Sequence, residues 1–226
     1  MSLGIVVPAL NGAAMIDATL ASLNAANAAF DTDILVVDGG STDDTIARAQ
    51  AGGARTIATA PGRGGQLAAG AAAVAGDWLL FVHGDTRLED DWVGAVGNFV
   101  RAPENVGRAG YFRLAFDDDV AAARRLERIV AWRARTFGLP YGDQGLLIAR
   151  ALYDSLGGYR SLVLMEDVDF VRRIGRRRLI ALPATARTSA KRYRRGGYLR
   201  RSARNLFCLA LYYLGVSPRL LRHLYG

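Results

Sequence analysis

Polar side chains follow three apolar stretches of this sequence. Asn11 comes shortly after the first stretch, Asp38 ends the second, and Asp85 follows the third. In an open parallel α/β sheet, ligands bind beyond the carboxyl ends of the strands, so we expect Asp38 and Asp85 to face one crevice. A single acid is also typical of a helix cap or a turn, and we favour that interpretation for Asp43 and Asp44.

The two acids at the strand ends suit different chemistry. Asp85 can bind a hard divalent cation such as Mg²⁺ or Mn²⁺, which takes one or two carboxylates together with phosphate oxygens. Gly84 leaves room for close approach, and His83 is a second candidate ligand, although a structural role for it is equally open. Asp38 can accept hydrogen bonds from a nucleobase or a ribose.

A glycine-rich stretch, Pro-Gly-Arg-Gly-Gly-Gln at residues 61–66, precedes a predicted helix. Backbone NH groups at such a turn can bind a phosphate, and Arg63 adds a positive charge. The stretch matches neither the phosphate-loop pattern nor the dinucleotide fingerprint. A plain helix-entry turn therefore remains an equal alternative.

Glu166 and Asp167 begin another predicted helix. The helix dipole stabilises acids at this position, which is one explanation for them. A carboxylate pair beside a catalytic crevice can also hold a general base, because a like-charged neighbour raises the pKa of one member. The spacing alone does not choose between these readings.

Alternating strands and helices must position these groups. Apolar runs predict strands at residues 4–8, 33–38, 54–59 and 78–83, with helices at 15–29 and 66–75 between them. Such alternation predicts an α/β fold whose sheet is mostly parallel and flanked by helices on both faces.

The second half of the chain is less regular. It predicts strands at residues 108–116 and 146–148, and helices at 120–137 and 167–177. We expect one domain over residues 1–186, followed by a basic helical segment at 187–226 that packs on or beside it.

The net charge of +8 is unevenly distributed, with −6 over residues 1–112 and +14 over residues 113–226. An arginine surplus favours phosphate groups or an anionic membrane surface, although a GC-rich genome also explains arginine in place of lysine. The single cysteine excludes an internal disulfide. Without a secretory signal or a bilayer-length apolar run, we expect a cytoplasmic protein, with peripheral contact to the inner membrane face as an option.

Four motifs in order resemble family 2 glycosyltransferases. They are Val-Val-Pro-Ala-Leu-Asn at residues 6–11, Val-Val-Asp-Gly-Gly-Ser-Thr-Asp at 36–43, Phe-Val-His-Gly-Asp-Thr at 81–86, and Glu-Asp at 166–167. The resemblance covers about residues 4–180 and implies a GT-A-type, Rossmann-like fold. The loop at 62–66 and the His-Gly-Asp motif are similar to a bacterial subgroup known as radical-SAM/selenodomain-associated transferases, whose acceptors are poorly defined.

The resemblance also implies roles for individual residues. Asp38 would contact the base or ribose of a UDP- or GDP-linked sugar, and Asp85 would hold Mg²⁺ or Mn²⁺ at the diphosphate. Asp167, beside Glu166, would be the general base that deprotonates an acceptor hydroxyl. In-line attack would invert the anomeric carbon, with the metal stabilising the leaving diphosphate.

Further residues are expected to contact substrates in such an enzyme. The predicted set is Pro8, Asn11, Gly40, Gly62, Arg63, Gln66, Asp143, Gln144, Arg187 and Lys191. The resemblance implies that Arg187, Lys191 and Arg192 lie on a cationic flap over the diphosphate. Two positions depart from the family pattern: His83 replaces the first acid of the metal motif, and Gly39 stands where a second Asp is common.

Other functions remain open at this stage. The basic segment at 172–204 also suits nucleic acid or an anionic membrane, on a non-catalytic scaffold, although the acidic first half would repel nucleic acid and no nucleic-acid motif is present. A sugar nucleotidyltransferase would need a lysine at the phosphates, and the first half contains none. The acceptor is not identified, and a lipid-linked one is an option.

Overall fold

The computed structural model describes residues 1–89 and 91–225. Its strands are β1 (Ser2–Ala9), β2 (Asp31–Asp38), β3 (Arg55–Ala58), β4 (Trp78–Phe81), β5 (Thr86–Glu89), β6 (Ala109–Phe116), β7 (Leu146–Ala149) and β8 (Leu179–Thr188). Its helices are α1 (Ile16–Leu23), α2 (Thr45–Ala51), α3 (Arg63–Ala73), α4 (Trp92–Arg101), α5 (Ala121–Phe137), α6 (Arg150–Ser155), α7 (Glu166–Ile174), α8 (Lys191–Gly196), α9 (Tyr198–Tyr213) and α10 (Pro218–Tyr225).

The strands form one mixed sheet in the order β3-β2-β1-β4-β7-β6-β8-β5. The first four of these are parallel neighbours, β7 runs antiparallel to both β4 and β6, and β6 pairs in parallel with β8. β1 is buried along nearly its whole length, as expected of a parallel strand covered on both faces. The predicted mostly parallel α/β sheet is confirmed.

Register places the predicted polar groups at one edge. Ala9 at the end of β1 pairs with Asp38 at the end of β2, and Val6 pairs with Phe81 at the end of β4. The loops that follow these strands therefore begin side by side. This confirms that Asn11, Asp38 and Asp85 come from a common edge of the sheet.

Two strands were missed and one boundary needs correction. β5 lies in a stretch for which the sequence pattern predicted no element, and β8 lies within the basic segment at 172–204. The predicted division between residues 186 and 187 falls inside β8, so residues 187 and 188 are strand rather than the start of a helical segment.

The C-terminal helices pack against the rest of the domain. Cys208, Leu209 and Leu221 share one apolar cluster with Met165 and Val168 at the start of α7. Burial of these side chains anchors the end of the chain beside Glu166 and Asp167. None of the helices in the described part of the chain is long and apolar enough to cross a membrane.

Candidate active site

The loops after β1 and β2 are tied to each other. The Oδ1 atom of Asn11 accepts from the backbone NH of Thr42 at 2.9 Å, and the backbone NH of Asn11 donates to Ser41 Oγ at 2.8 Å. Asp38 is almost fully buried, and its Oδ2 accepts from the NH groups of Gly40 and Ser41 at 2.9 and 2.8 Å. Asp38 therefore shapes this loop from beneath, while Asn11 and Gly40 lie at the surface.

The glycine-rich stretch forms the entry to α3. A Cβ atom at Gly64 would lie 2.3 Å from the carbonyl oxygen of Arg160, so this glycine is required for close packing against a neighbouring segment. Gly62 has a φ of 149°, a conformation that favours glycine. The stretch thus serves as a helix-entry turn that presents Arg63.

Three predicted substrate contacts have structural roles instead. Gln66 is buried, and its Nε2 donates to the carbonyls of Ala9 and Val37 at 2.9 and 2.8 Å, which joins the ends of β1 and β2. Gln144 is buried too, and its Nε2 donates to the carbonyl of Phe112 at 3.1 Å. Pro8 is buried within β1. These residues therefore belong to the framework of the site.

A cavity of about 650 Å³ brings the candidate catalytic groups together. Arg63 from the start of α3, His83 and Asp85 from the end of β4, Asp143 from the 142–144 turn and Asp167 from α7 all line it. These residues are distant in sequence, so the fold alone makes them neighbours. Asp38 does not line this cavity.

Asp167 is oriented by backbone hydrogen bonds. Its Oδ2 accepts from the NH of Gly142 at 2.9 Å, and its Oδ1 accepts from the NH of Val168 at 2.7 Å. Met165 directly precedes α7, and its φ of 65° is uncommon for a residue with a side chain. The carboxylate is thereby held at a defined place in the cavity wall, as a general base requires.

Glu166 lies behind the cavity wall. Its side chain is 2% exposed, and its Oε1 lies 3.4 Å from Arg63 Nη1. Burial, followed by the neighbouring Asp167 carboxylate, raises the pKa of Glu166 to about 7, against the opposing charge of Arg63. Glu166 is therefore suited to tune the charge around Arg63 and Asp167, while Asp167 is the acid that reaches the cavity.

His83 and Asp143 both line the cavity, and both have shifted pKa values. Burial, and then the charges of Arg63 and Arg192, lower the pKa of His83 well below 6.5, so the imidazole is neutral at neutral pH. Burial raises the pKa of Asp143 to about 6, with Arg133 opposing the rise. A Cβ atom at Gly142 would lie 2.4 Å from His83 Nε2, so the imidazole packs directly on this glycine.

The side chains of the cavity that could bind a metal suit an ion that binds together with a diphosphate. Within residues 1–89 and 91–225, no three His, Cys, Asp or Glu side chains converge into a preformed metal site. Asp85 lines the cavity, and in the described chain its carboxylate accepts no hydrogen bond. One carboxylate plus phosphate oxygens and waters is the coordination that Mg²⁺ prefers at nucleotide sites. The packed Nε2 edge of His83 makes it the weaker candidate ligand.

The predicted cationic flap requires correction. Arg187 lies in β8, where its Nε donates to Glu89 at 2.7 Å and its Nη1 donates to the carbonyl of Phe116 at 2.8 Å, so it is committed to the sheet. Lys191 is exposed and does not line the cavity, whereas its neighbour Arg192 does. Of the three residues predicted for the flap, Arg192 therefore lines the cavity, while Arg187 and Lys191 do not.

Further lining residues come from α5. Arg125 and Arg133 lie eight positions apart on this helix and both line the cavity. The guanidinium of Arg133 lies 3.4 Å from the ring centre of Tyr141, which also lines it. The helical spacing of the two arginines was the one signal in the sequence that could have identified them.

Changing Glu166 to Gln should flatten the pH dependence of stability. The folded pKa of about 7 exceeds the usual 4.5, so the folded protein holds a proton that the unfolded chain releases between these pH values. The free energy of unfolding therefore falls as pH rises through this window. From about pH 5 to pH 8, the wild type should lose roughly 1–3 kcal/mol more than Glu166→Gln, measured by urea unfolding.

Glu104→Gln is the matched control for this change, since Glu104 is exposed and distant from the cavity. It should retain the pH dependence of the wild type. Equal slopes for the wild type and Glu166→Gln would show that Glu166 is ionised in the folded protein across the whole range.

Comparison with known proteins agrees with this arrangement. The family model "Glycosyl transferase family 2" matches residues 4–163. Glucosyl-3-phosphoglycerate synthase of Mycolicibacterium paratuberculosis is 33% identical over 132 residues, which cover 48% of this chain and 40% of that protein. The chain thus spans about two fifths of the length of this relative.

Solved structures show the same fold. Mycobacterium tuberculosis glucosyl-3-phosphoglycerate synthase in complex with Mn²⁺, UDP and glucosyl-3-phosphoglycerate has a TM-score of 0.54 and 24% identity, covering 83% of this chain and 70% of that one. S. aureus TarS 1–349 in complex with UDP-GlcNAc has a TM-score of 0.60 and 17% identity, covering 83% and 59%. The predicted GT-A-type fold is confirmed by these neighbours.

The family match covers most of the chain and includes the loops that carry Asn11, Asp38 and Asp85. The sequence motifs agree with this family match, and so does their meeting at one edge of the sheet. This chain belongs to glycosyl transferase family 2.

Proposed function

We propose that the protein transfers a sugar from a UDP- or GDP-linked donor to an acceptor hydroxyl, with inversion at the anomeric carbon. The observation that carries the proposal is the single cavity in which Asp85 and Asp167 both lie, in a chain of this family. In-line displacement of a diphosphate needs a metal-binding carboxylate and a base that face the same space.

The acceptor side of the reaction depends on Asp167. Its carboxylate takes the proton from the acceptor hydroxyl as the oxygen attacks the anomeric carbon, and the bond from that carbon to the diphosphate breaks on the opposite face. The hydrogen bond from the Gly142 NH keeps Asp167 Oδ2 in place. Glu166 lies behind Asp167, with its Oε1 3.4 Å from Arg63 Nη1.

The donor side depends on Asp85, Arg63 and Arg192, which all line the cavity. Asp85 would hold Mg²⁺ or Mn²⁺, which when bound offsets the charge that develops on the leaving diphosphate. The two arginines add positive charge suited to phosphate oxygens. Asn11, Gly40 and the buried Asp38 would shape the adjoining place for the nucleoside.

The bound ligands of similar proteins support a uridine donor over a guanosine donor. The mycobacterial synthase holds UDP and Mn²⁺, and TarS 1–349 holds UDP-GlcNAc. Membership of the radical-SAM/selenodomain-associated subgroup stays a prediction from the sequence motifs. The division into residues 1–186 and 187–226 also stays a proposal, with its boundary moved to the end of β8.

We further propose peripheral contact with an anionic membrane and a lipid-linked acceptor. Large apolar side chains are exposed on α5 and on the C-terminal helices, and the same part of the chain carries the arginine surplus. They are Ile129, Trp132, Phe137, Leu199, Leu206, Phe207, Leu214, Leu220 and Leu224. Apolar side chains among cationic ones suit the interface of an anionic bilayer.

Nucleotide binding gives the direct test of the donor proposal. UDP with Mn²⁺ should raise the melting temperature of the protein, and either component alone should raise it much less, because the metal and the diphosphate complete each other's contacts. Replacing UDP with GDP and ADP measures the base preference. A melting temperature unaffected by every nucleoside diphosphate with Mn²⁺ or Mg²⁺ would contradict the proposed function.

A further inference from the structure

The cavity that Asp167 lines is also lined by residues of β6, α5 and α9. From the carboxylates it continues between α5 and α9, over a floor that includes Phe116 of β6. We call this extension the α5–α9 groove. Its walls are formed by Ala122, Leu126 and Ile129 of α5 and by Leu199 and Leu206 of α9.

The walls of the groove expose apolar surface to solvent. Ile129 is 57% exposed, Leu199 88% and Leu206 67%. Leaving such side chains in water forgoes the roughly 25 cal/mol per Å² that burial provides, so an apolar occupant would stabilise this region. A volume of about 650 Å³ lies within the usual range of about 300–1,000 Å³ for small-molecule sites.

Two residues that line the cavity each have a buried polar atom that lacks a hydrogen-bond partner in the described structure. The two atoms are Arg133 Nη2 and Asp143 Oδ1. Buried polar groups are normally paired, so unpaired ones mark a place for a ligand or water. Nη2 must donate and Oδ1 can accept, so a group that both accepts and donates would satisfy the pair.

A hydroxyl has these properties, and an anion does not. A phosphate or carboxylate could accept from Arg133, but it would meet the carboxylate of Asp143 and then a groove of apolar side chains. Phosphoglycerate, found in the mycobacterial synthase, is a small anion of this kind. The lining of this chain therefore suits a different class of acceptor.

We infer that the α5–α9 groove is the acceptor site, and that the acceptor is an alcohol with an apolar body, its hydroxyl near Arg133 and Asp143 at the end of the cavity where Asp167 lies and its body along α5 and α9. This inference rests on the proposed function, since it assigns the hydroxyl to the end of the cavity where Asp167 lies. The occupant is supported by the continuity of the groove with the catalytic carboxylates. Apolar exposure in its walls supports it as well.

Direct binding of decanol tests the site without any donor. The wild type should bind decanol in a calorimetric titration, and Ile129→Arg and Ala122→Trp should weaken binding by about tenfold or more, because one places a charge in the groove and the other fills it. Trp132→Arg is the matched control. Trp132 is an exposed apolar residue of the same helix that does not line the cavity, so this variant should bind decanol within about twofold of the wild type.

The hydroxyl is tested by comparing decanol with its methyl ether, which cannot donate. The ether should bind several-fold more weakly to the wild type, and Asp143→Asn should reduce this difference, since an amide no longer offers a charged acceptor. Equal binding of the two compounds would overturn the assignment of the hydroxyl to Asp143. Decanol binding lost in Trp132→Arg but retained in Ile129→Arg would show adsorption to the outer surface and overturn the groove.

UDP with Mn²⁺ is titrated into the same variants in parallel. Decanol binding without any nucleotide binding would contradict the proposed function and leave the groove standing. Nucleotide binding without decanol binding would overturn the groove and leave the proposed function standing. Each variant is first shown to be folded by circular dichroism.

Discussion

Replacing Asp167 with Asn should lower kcat by a factor of about 10² to 10⁴, which is the usual contribution of a general base. Asn has nearly the shape of Asp, so its side-chain oxygen can still accept from the Gly142 NH, which lies 2.9 Å from Asp167 Oδ2. What disappears is the basic oxygen that takes the acceptor proton. The variant should therefore bind UDP with Mn²⁺ as the wild type does, measured by calorimetry.

Asp154→Asn is the matched control, because Asp154 is an exposed acid at the end of α6 that does not line the cavity. Its kcat should equal that of the wild type. Full turnover by Asp167→Asn would show that another group takes the proton of the acceptor hydroxyl. Asp143, whose pKa is raised to about 6, would be the next residue to test.

The second large effect is expected at Asp85. Changing it to Asn removes the one carboxylate at the end of β4 that lines the cavity, and with it the charge that would hold the metal. Since metal assistance is worth several kcal/mol, kcat/KM should fall by roughly a hundredfold or more. The rise in melting temperature produced by UDP should also lose its dependence on Mn²⁺.

Asp31→Asn provides the comparison for this variant, because Asp31 is exposed at the opposite, amino-terminal end of β2. It should keep the Mn²⁺ dependence. If Asp85→Asn retained both its turnover and its metal response, the metal would be bound elsewhere, and the carboxylates of Asp143 and Asp167 would be the candidates in this cavity.

The edge of the sheet at which the site is built was predictable from sequence. β1 and β2 each contain an uninterrupted apolar run, so the pattern itself locates their ends and the polar residues that follow. The parallel arrangement then required Asn11, Asp38 and Asp85 to share an edge. That part of the reasoning used only local periodicity and one rule of topology.

β8 was missed although its pattern was present. Leu182, Ala184, Ala186 and Thr188 are buried at every second position, which is the alternation of a half-buried strand. The arginines before and after this stretch favour its interpretation as a charged segment instead. Arg187 then appeared to be a phosphate ligand, whereas the strand turns it towards Glu89.

Gln66, Arg133 and Asp143 show what sequence could not supply. Gln66 is engaged by carbonyls of two different strands, which no local pattern reveals. Arg133 and Asp143 are on a helix and on a later turn, and they act on one another only because both line one cavity. Gln66 and Asp143 were predicted as site residues, but the contacts that these side chains make depend on tertiary packing, which the sequence pattern does not show.

The apolar cluster shared by α7 and the C-terminal helices connects the base to those helices. Cys208 and Leu209 are buried with Met165 and Val168, which flank Glu166 and Asp167 along the chain. A force that lifts α9, or a surface that draws it outward, would strain or open this cluster and would therefore disturb the base. The packing of the C-terminal helices and the position of the base are consequently coupled, so a change that shifts one of them shifts the other.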